Sequence, residues 1–285
     1  MIRLYTDSTC DLTKEMLQEN NITMVPLYVS LGDELTGRDG VEITPDKIYE
    51  WADRAKDTPK TAAFSPDDIM AEIEKCKKNG DDMLYIGIAT SMSGTNSVVR
   101  LAAEELEYED HVYVVDSKNL STGIGLILLK AAKLIRDGVS AAGIETILTG
   151  SVIPQVRASF IVDTLTYLHR GGRCSAVTAL LANTLKLKPK IVVTDGKMDV
   201  GSKYRGDLKK VLLKYTNDMK EELLNAERDM VFITHSGVDE QIVESVRKYL
   251  EDLDYFEHIE ETRAGAVISS HCGPGTLGVL FISKV

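Results

Sequence analysis

The stretch MLYIGIATSMSGTNSVVRLAAEEL, residues 83–106, has the pattern of a buried strand, a polar loop and a helix. It begins with an apolar run rich in β-formers and ends with apolar residues at helical spacing. The same succession recurs through the first half of the chain, with strand-like runs at 2–6, 22–31, 83–89 and 111–116. Strands that alternate with helices need crossover connections, so the pattern predicts an α/β fold whose N-terminal part is a mainly parallel sheet with helices on both faces.

Capping residues predict where several helices begin. Asp11 precedes LTKEML, Thr44 precedes a proline at the first helical turn, and Ser65 with Asp68 has the spacing of a capping box. Helical periodicity then predicts longer segments at 121–137 and 140–153.

The second half of the chain predicts a different, mixed α/β domain. Its strands are predicted near 157–163, 190–194, 198–204, 229–235 and 256–262, and its helices near 175–186, 207–226 and 238–252. The sequence TDGKM at 194–198 is typical of a hairpin turn. We therefore predict two domains, residues 1–155 and 156–285, that pack closely with a cleft between them.

Composition limits the classes of function. The longest apolar runs, such as residues 124–129, are far shorter than the roughly 18 residues that a membrane span needs. The N-terminus does not resemble a secretory signal, so we expect a cytoplasmic protein. The four cysteines lie far apart and predict neither a disulfide framework nor a zinc site.

The net charge of −11 argues against nucleic-acid binding. The charge is uneven, however, because residues 186–214 contain nine Lys or Arg against three Asp. This basic run indicates either a solvated face or a docking surface for an acidic partner.

The loop at 90–95 is a candidate anion site because it leaves a strand end and leads into a helix N-terminus. The hydroxyl groups of Thr90, Ser91, Ser93 and Thr95 suit a carboxylate or phosphate, and Gly94 lets the backbone approach closely. The alternative is that one hydroxyl caps the helix and the others face water. Ser93 lacks a neighbouring base and the G-x-S-x-G elbow of a nucleophile.

Other motifs add candidates and exclusions. His271 lies between hydroxyl and glycine residues in SSHCGPGTLG, and Arg170 and Arg173 flank two glycines in HRGGRC, a pattern that suits an anion or a solvated turn. Asp7 and Asp11 predict no metal site, because a strand-end turn and a helix cap account for them. GPGTLG is a tight turn into a final strand rather than a dinucleotide motif, so no nucleotide cofactor is predicted.

The motifs TDSTCDLT, ATSMSGTNSV, YLHRGGRCS, TDGKM and HCGPG occur in this order over essentially the whole chain, and together they resemble the DegV family. That family includes the fatty-acid-binding subunits of bacterial fatty acid kinase. The resemblance implies a lipid buried between two α/β domains, with no further cofactor. It also implies that the protein itself has no catalytic activity, and that a separate ATP-dependent kinase subunit converts the bound fatty acid to acyl phosphate.

By this resemblance, Thr61 and Ser93 would hydrogen-bond the fatty-acid carboxyl group, with Gly94, Thr95 and His271 in the same head-group site. Arg170, Arg173 and Arg205 would face the phosphoryl group or the kinase. The basic run would serve that partner or a transient contact with an anionic membrane. The chain departs from the family pattern at Ala62 to Phe64, after Thr61. The competing hypothesis is a hydrolase of acyl esters or thioesters that uses Ser93 and His271.

Overall fold

The computed structural model describes residues 1–183 and 187–284 of the chain. The strands are β1 Ile2–Asp7, β2 Ile22–Val25, β3 Tyr28–Leu31, β4 Leu35–Arg38, β5 Lys60–Ala62, β6 Asp82–Gly87, β7 Val112–Asp116, β8 Val156–Ile161, β9 Leu187–Thr194, β10 Lys197–Arg205, β11 Ala226–His235, β12 His258–Arg263 and β13 Leu277–Ser283. The helices are α1 Lys14–Glu19, α2 Pro45–Ala55, α3 Pro66–Asn79, α4 Thr95–Glu105, α5 Thr122–Arg136, α6 Ala141–Ile147, α7 Thr166–Gly171, α8 Leu208–Asp218, α9 Lys220–Leu224, α10 Glu240–Asp252 and α11 Ala266–Cys272.

The N-terminal part contains a four-stranded sheet in the order β2-β1-β6-β7, and all of its strand pairs are parallel. Alternate residues of the central strands point to opposite faces. Tyr5 and Tyr85 pack towards α3 and α4, whereas Leu4 and Leu84 pack towards α5. The predicted parallel sheet with helices on both faces is therefore confirmed.

The single strand predicted at 22–31 is wrong, because the chain changes sheets at Pro26. β2 pairs with β1, but β3 lies in a separate antiparallel sheet with the order β4-β3-β5. Proline has no backbone N–H to give to a strand ladder, so the first sheet ends before it. The consequence for the site is that β5, which carries Thr61, lies beside β3.

Two of the three predicted helix starts are confirmed. Thr44 caps α2, and Ser65 forms a capping box with Asp68 at the start of α3. Asp11 does not cap α1, since Thr13 does. Asp11 is buried in a left-handed conformation, with φ of 52°, and its carboxylate accepts a hydrogen bond from a distant backbone N–H, that of Gly265.

The second part contains a six-stranded sheet in the order β10-β9-β8-β13-β11-β12. The pair β11 and β12 is parallel and the other pairs are antiparallel. The predicted second, mixed α/β part of the chain is confirmed. The predicted hairpin joins β9 to β10 through Asp195 and Gly196, both with positive φ. Helices α8 and α10 pack on one face of this sheet, and α5 packs on the other.

Several predicted helices differ from the observed ones in extent. The segment predicted at 140–153 is helix α6 followed by a wider turn at Leu148–Val152. The segment predicted at 207–226 breaks at Met219 into α8 and α9. The segment predicted at 175–186 forms 3-10 turns over Ser175–Asn183, and its predicted end at 184–186 lies outside the described residues.

One apolar core connects the two larger sheets. Helix α5 packs against β1 and β6 on one side and against β8 and β13 on the other. The six-stranded sheet uses strands that begin at Val156 or later. The predicted division of the chain at residue 155 stays a prediction.

Candidate functional site

A cavity of about 230 Å³ lies among β5, the β6–α4 loop, α7, β10 and α11. Four of its lining side chains are strongly polar or charged: Thr61, Ser93, Arg173 and His271. The other lining residues are Leu27, Ala62, Ala63, Ile88, Met92, Gly94, Leu120, Leu168, Met198, Val267, Ile268 and Cys272. A mainly apolar wall with a few converging polar groups is the usual construction of a small-molecule site.

Ser93 is held by its immediate neighbours in the loop that joins β6 to α4. Its Oγ lies 2.5 Å from Thr95 Oγ1 and accepts a hydrogen bond from the Thr95 N–H at 3.3 Å. Thr95 itself is fully buried and does not line the cavity, whereas Gly94 does. The structure thus brings Ser93 and Gly94 to the candidate site and leaves Thr95 as their support.

The other two hydroxyl groups of this loop have structural partners. The Ser91 hydroxyl donates to the carbonyl of Gly196, in the β9–β10 turn. Thr90 Oγ1 accepts a hydrogen bond from the Asn96 side chain at 2.9 Å. Neither residue lines the cavity, so the anion-binding interpretation does not extend to them.

His271, in the last turn of α11, meets Thr61 across the cavity. Its Nε2 lies 2.8 Å from Thr61 Oγ1, although the two residues are 210 positions apart. Its Nδ1 is buried without a hydrogen-bond partner. Gly171 packs directly against this nitrogen, and a Cβ at position 171 would overlap it. The imidazole is therefore fixed on one side by a hydroxyl and on the other by a glycine.

The imidazole of His271 is neutral at physiological pH. Burial lowers its pKa to about 4, and the nearby positive charge of Arg173 acts in the same direction. A buried Nδ1 without a partner is better left as a lone pair than as an N–H, because an unpaired buried donor is costly. The geometry therefore favours the tautomer in which Nε2–H donates to the Thr61 hydroxyl.

The three candidate arginines occupy different surroundings. Arg173 lines the cavity, and its Nη1 donates to the Gly171 carbonyl at 2.7 Å. Arg170 is exposed and lies 3.8 Å from Asp57 in a loose ion pair. Arg205 is exposed on β10 and does not line the cavity. Of the three, the structure brings only Arg173 to the candidate site.

The arrangement does not provide an activated serine. Ser93 Oγ pairs with Thr95, and His271 Nε2 pairs with Thr61, so the described residues contain no hydrogen-bonded pair of Ser93 and His271. Within residues 1–183 and 187–284, no group of three or more His, Cys, Asp or Glu side chains could hold a metal ion. None of the helices in the described residues is both long and apolar enough to span a bilayer.

Sequence reasoning missed much of the apolar lining, including Met92, Leu168 and Met198. These residues have no distinguishing pattern, since apolar side chains at a cavity and in a core look alike in a sequence. It also missed helix α11, of which only the polar end was singled out. The apolar run Ala266 to Ile268 after a glycine was a signal that could have indicated a helix start.

Comparison with known proteins gives the family. The model of the DegV family, described as uncharacterised proteins, matches residues 1–284. The chain belongs to the DegV family. A DegV domain-containing protein of Deinococcus radiodurans is 35% identical over 278 residues, which is 98% of this chain and 97% of that protein. The resemblance seen in the sequence motifs is thereby confirmed.

Solved structures of DegV proteins share the whole fold. A structure from Thermus thermophilus, described as fatty acid binding of a DegV family protein, has a TM-score of 0.90 and 31% identity, with 99% of each chain covered. A stearic acid-binding protein from Eubacterium ventriosum has a TM-score of 0.87 and 29% identity, with 100% of this chain and 99% of that one covered. The α/β architecture with two sheet domains is thus a property of the family.

Proposed function

We propose that the protein binds a long-chain fatty acid in this cavity, with the carboxylate at Thr61, Ser93 and His271. We further propose that it presents the carboxylate to a separate ATP-dependent kinase subunit, which converts it to acyl phosphate. The observation that carries the proposal is that these three side chains line one mainly apolar cavity, in which Arg173 is the only other strongly polar or charged lining side chain among the described residues. The fatty-acid-binding relatives from Thermus thermophilus and Eubacterium ventriosum support the choice of ligand.

The acyl chain supplies most of the binding free energy. Burial of a methylene contributes about 0.8 kcal/mol, so a chain of about 16 methylenes gives a gross contribution of about 13 kcal/mol. Loss of translational and conformational freedom opposes it by about 4 to 15 kcal/mol. The acyl chain alone therefore leaves between about 9 kcal/mol of net binding and a deficit of about 2 kcal/mol. The polar groups add affinity to this and fix which end of the ligand lies beside Thr61.

The hydroxyl groups hold the carboxylate. Because Nε2–H of His271 donates to Thr61 Oγ1, the hydroxyl proton of Thr61 is free to point at a ligand oxygen. Ser93 lines the same cavity and offers a second hydroxyl. A neutral His271 contributes no charge, so Arg173 provides the positive charge nearest the carboxylate. A hydrogen bond between Arg173 and the carboxylate would be charge-assisted, and such bonds are stronger than those between neutral groups.

The arginines and the basic run suit the transfer step. Arg173 lines the cavity and is also exposed, so it joins the head group to the surface where a kinase would dock. Arg170, Arg205 and the described part of the basic run, residues 187–214, supply further positive charge for the kinase or for an anionic membrane during lipid exchange. Since the kinase uses ATP, the proposal places the protein in the cytoplasm.

Mass spectrometry of the purified protein tests the proposal directly. We expect the native protein to carry a fatty acid that is released on denaturation, and the delipidated protein to take up one equivalent of palmitic or oleic acid. A native mass equal to the chain alone, together with no uptake of either acid, would refute fatty-acid binding. Turnover of a p-nitrophenyl ester that is lost in Ser93→Ala would favour the hydrolase.

A second experiment separates lipid binding from phosphoryl transfer. Arg173→Ala is expected to lower the rate of acyl-phosphate formation with a separate fatty acid kinase subunit and ATP much more than it lowers fatty-acid affinity. Arg136→Ala, an exposed arginine at the end of α5, is the matched control and should change neither. Equal loss of binding and transfer in Arg173→Ala would show that this arginine is structural.

A further inference from the structure

Helix α11 contributes four residues to the lining of the cavity, and its first turn is held by two buried carboxylates from the N-terminal part. Asp39 accepts hydrogen bonds from the N–H groups of Ala266 at 2.6 Å and Val267 at 3.2 Å. Asp11 accepts one from the N–H of Gly265 at 2.8 Å. Three consecutive N–H groups, which a helix start leaves without partners, are thus satisfied by side chains more than 200 positions away.

The contact is built for close approach. Asp39 is 1% exposed and Asp11 is 6% exposed. If either carboxylate were removed, water could not readily reach the backbone N–H groups that it binds. Gly265 has no side chain, and a Cβ there would lie 3.1 and 3.2 Å from the two carboxylate oxygens of Asp39. Burial raises the pKa of both carboxyl groups, that of Asp11 to about 8, and the hydrogen bonds from the backbone N–H groups act in the opposite direction. The position of α11 is therefore set by the N-terminal part of the chain.

We infer that Asp39, assisted by Asp11, is a positioning residue that fixes the start of α11 and thereby aligns His271 with Thr61 for recognition of the ligand carboxylate. His271 follows Ala266 by five residues, which is about 7.5 Å along a helix, so a shift of the first turn is carried to the imidazole. The Nε2–Oγ1 hydrogen bond of 2.8 Å between His271 and Thr61 tolerates little displacement. The inference rests on the proposed function of the cavity.

The test compares a fatty acid with the matching alcohol, because both have the same tail and differ only at the head group. Dissociation constants for myristic acid and myristyl alcohol are measured on delipidated wild type, Asp39→Asn and Asp39→Ala. Asn retains one acceptor oxygen and places an amide donor opposite a second N–H, so its effect should be intermediate. Asp81→Asn is the control, since Asp81 is also a buried carboxylate but binds the N-terminal amine and Arg3.

We expect wild type and Asp81→Asn to prefer the acid by about tenfold or more, and Asp39→Ala to reduce this preference to about threefold or less. Affinity for the alcohol should change much less. An unchanged ratio of the two affinities, or an equal fall for acid and alcohol, would overturn the positioning role. Failure of wild type to bind either compound would instead contradict the proposed function.

A measurement without ligand keeps the inference testable in that case, and also if Asp39→Ala does not fold. Nitrogen-15 NMR of the His271 imidazole reports its tautomer and the hydrogen bond to Thr61. We expect Asp39→Asn and Gly265→Ala to shift the Nε2 resonance, and Asp81→Asn to leave it in place. A His271 spectrum identical to wild type in both Asp39→Asn and Gly265→Ala would overturn the inference.

Discussion

Ser93 and His271 face the same cavity, but they are held in place by different parts of the chain. Ser93 lies just before helix α4 and is fixed by Thr95, two residues away. His271 lies at the end of helix α11 and is fixed by Thr61, which is 210 residues away, and by the glycine at position 171. One side of the polar site is therefore a local structure, and the other is a tertiary one.

This difference separates two kinds of sensitivity. A local contact persists as long as its own loop is formed, whereas a tertiary contact depends on the packing of several distant elements at once. We therefore expect His271 to respond more strongly than Ser93 to substitutions nearby. The following experiments test that expectation.

The largest effect on ligand binding is expected for Gly171→Ala. The new Cβ would overlap Nδ1 of His271 and displace the ring from Thr61, so fatty-acid affinity should fall by about 30-fold, which corresponds to about 2 kcal/mol. Gly150→Ala is the control, because a Cβ at that position has open space around it. Both are measured by fluorescent fatty-acid displacement. A Gly171→Ala affinity close to wild type would show that the position of the imidazole is unimportant.

Acid titration tests the burial of the imidazole. The folded-state pKa of His271 is about 4 and its ordinary pKa is 6.5, so between these values the unfolded chain takes up a proton that the folded chain does not. Its contribution to stability is therefore constant above pH 6.5 and falls as the pH falls towards 4. Between pH 7.5 and pH 5 we therefore expect wild type to lose about 1 to 2 kcal/mol more than His271→Gln.

Urea unfolding at pH 7.5 and pH 5 measures this difference. Other groups with shifted pKa values, including the buried Asp11 and His235, are present in both proteins and cancel in the comparison. Equal losses of stability in wild type and His271→Gln would mean that the imidazole is readily protonated where it lies.

Thr61→Val and Ser93→Ala compare the two hydroxyl groups. Thr61→Val keeps the shape of the side chain but leaves Nε2 of His271 without its partner, and it should weaken fatty-acid binding by about 1 kcal/mol. Ser93→Ala should weaken fatty-acid binding by no more than Thr61→Val does, because the hydrogen-bond partner of the Ser93 hydroxyl, Thr95, is a neighbour in the same loop. Calorimetric titration with palmitic acid provides both values. A larger loss for Ser93→Ala would reverse the ranking of the two sides.

The smallest effect is expected for Arg170→Ala. Arg170 is exposed and its ion pair with Asp57 is loose, at 3.8 Å, so its removal should change stability and fatty-acid affinity by less than about 0.5 kcal/mol. Thermal unfolding and ligand titration provide the two measurements. A marked loss of fatty-acid affinity would instead indicate that Arg170 takes part in the head-group site, although it does not line the cavity.

The local half of the site could be predicted from the sequence. The role of hydroxyl groups between a strand and a helix depends on residues only a few positions away, and the caps at Thr44 and Ser65 are equally local. The alternation of strands and helices likewise gave the parallel sheet. The family resemblance brought in Thr61, whose own surroundings in the sequence did not mark it as part of a site.

The tertiary half could not be predicted from local patterns. Asp11 has the spacing of a helix cap, and Asp39 with Gly40 resembles an ordinary turn, yet both carboxylates are used at a helix far along the chain. Residue spacing does not encode which distant N–H groups will meet a carboxylate. The change of sheet at Pro26 was missed for a different reason, because the apolar pattern continues through the proline into β3.

The 210-residue separation between Thr61 and His271 also has a consequence for how the protein is made. A chain still growing on the ribosome cannot contain the complete head-group site until residue 271 has left the exit tunnel and α11 has docked. A fatty acid therefore cannot guide the early stages of folding, and its capture reports that the N-terminal and C-terminal parts have already come together. Contacts between such distant residues also form slowly, so ligand binding should be among the last steps in maturation of the protein.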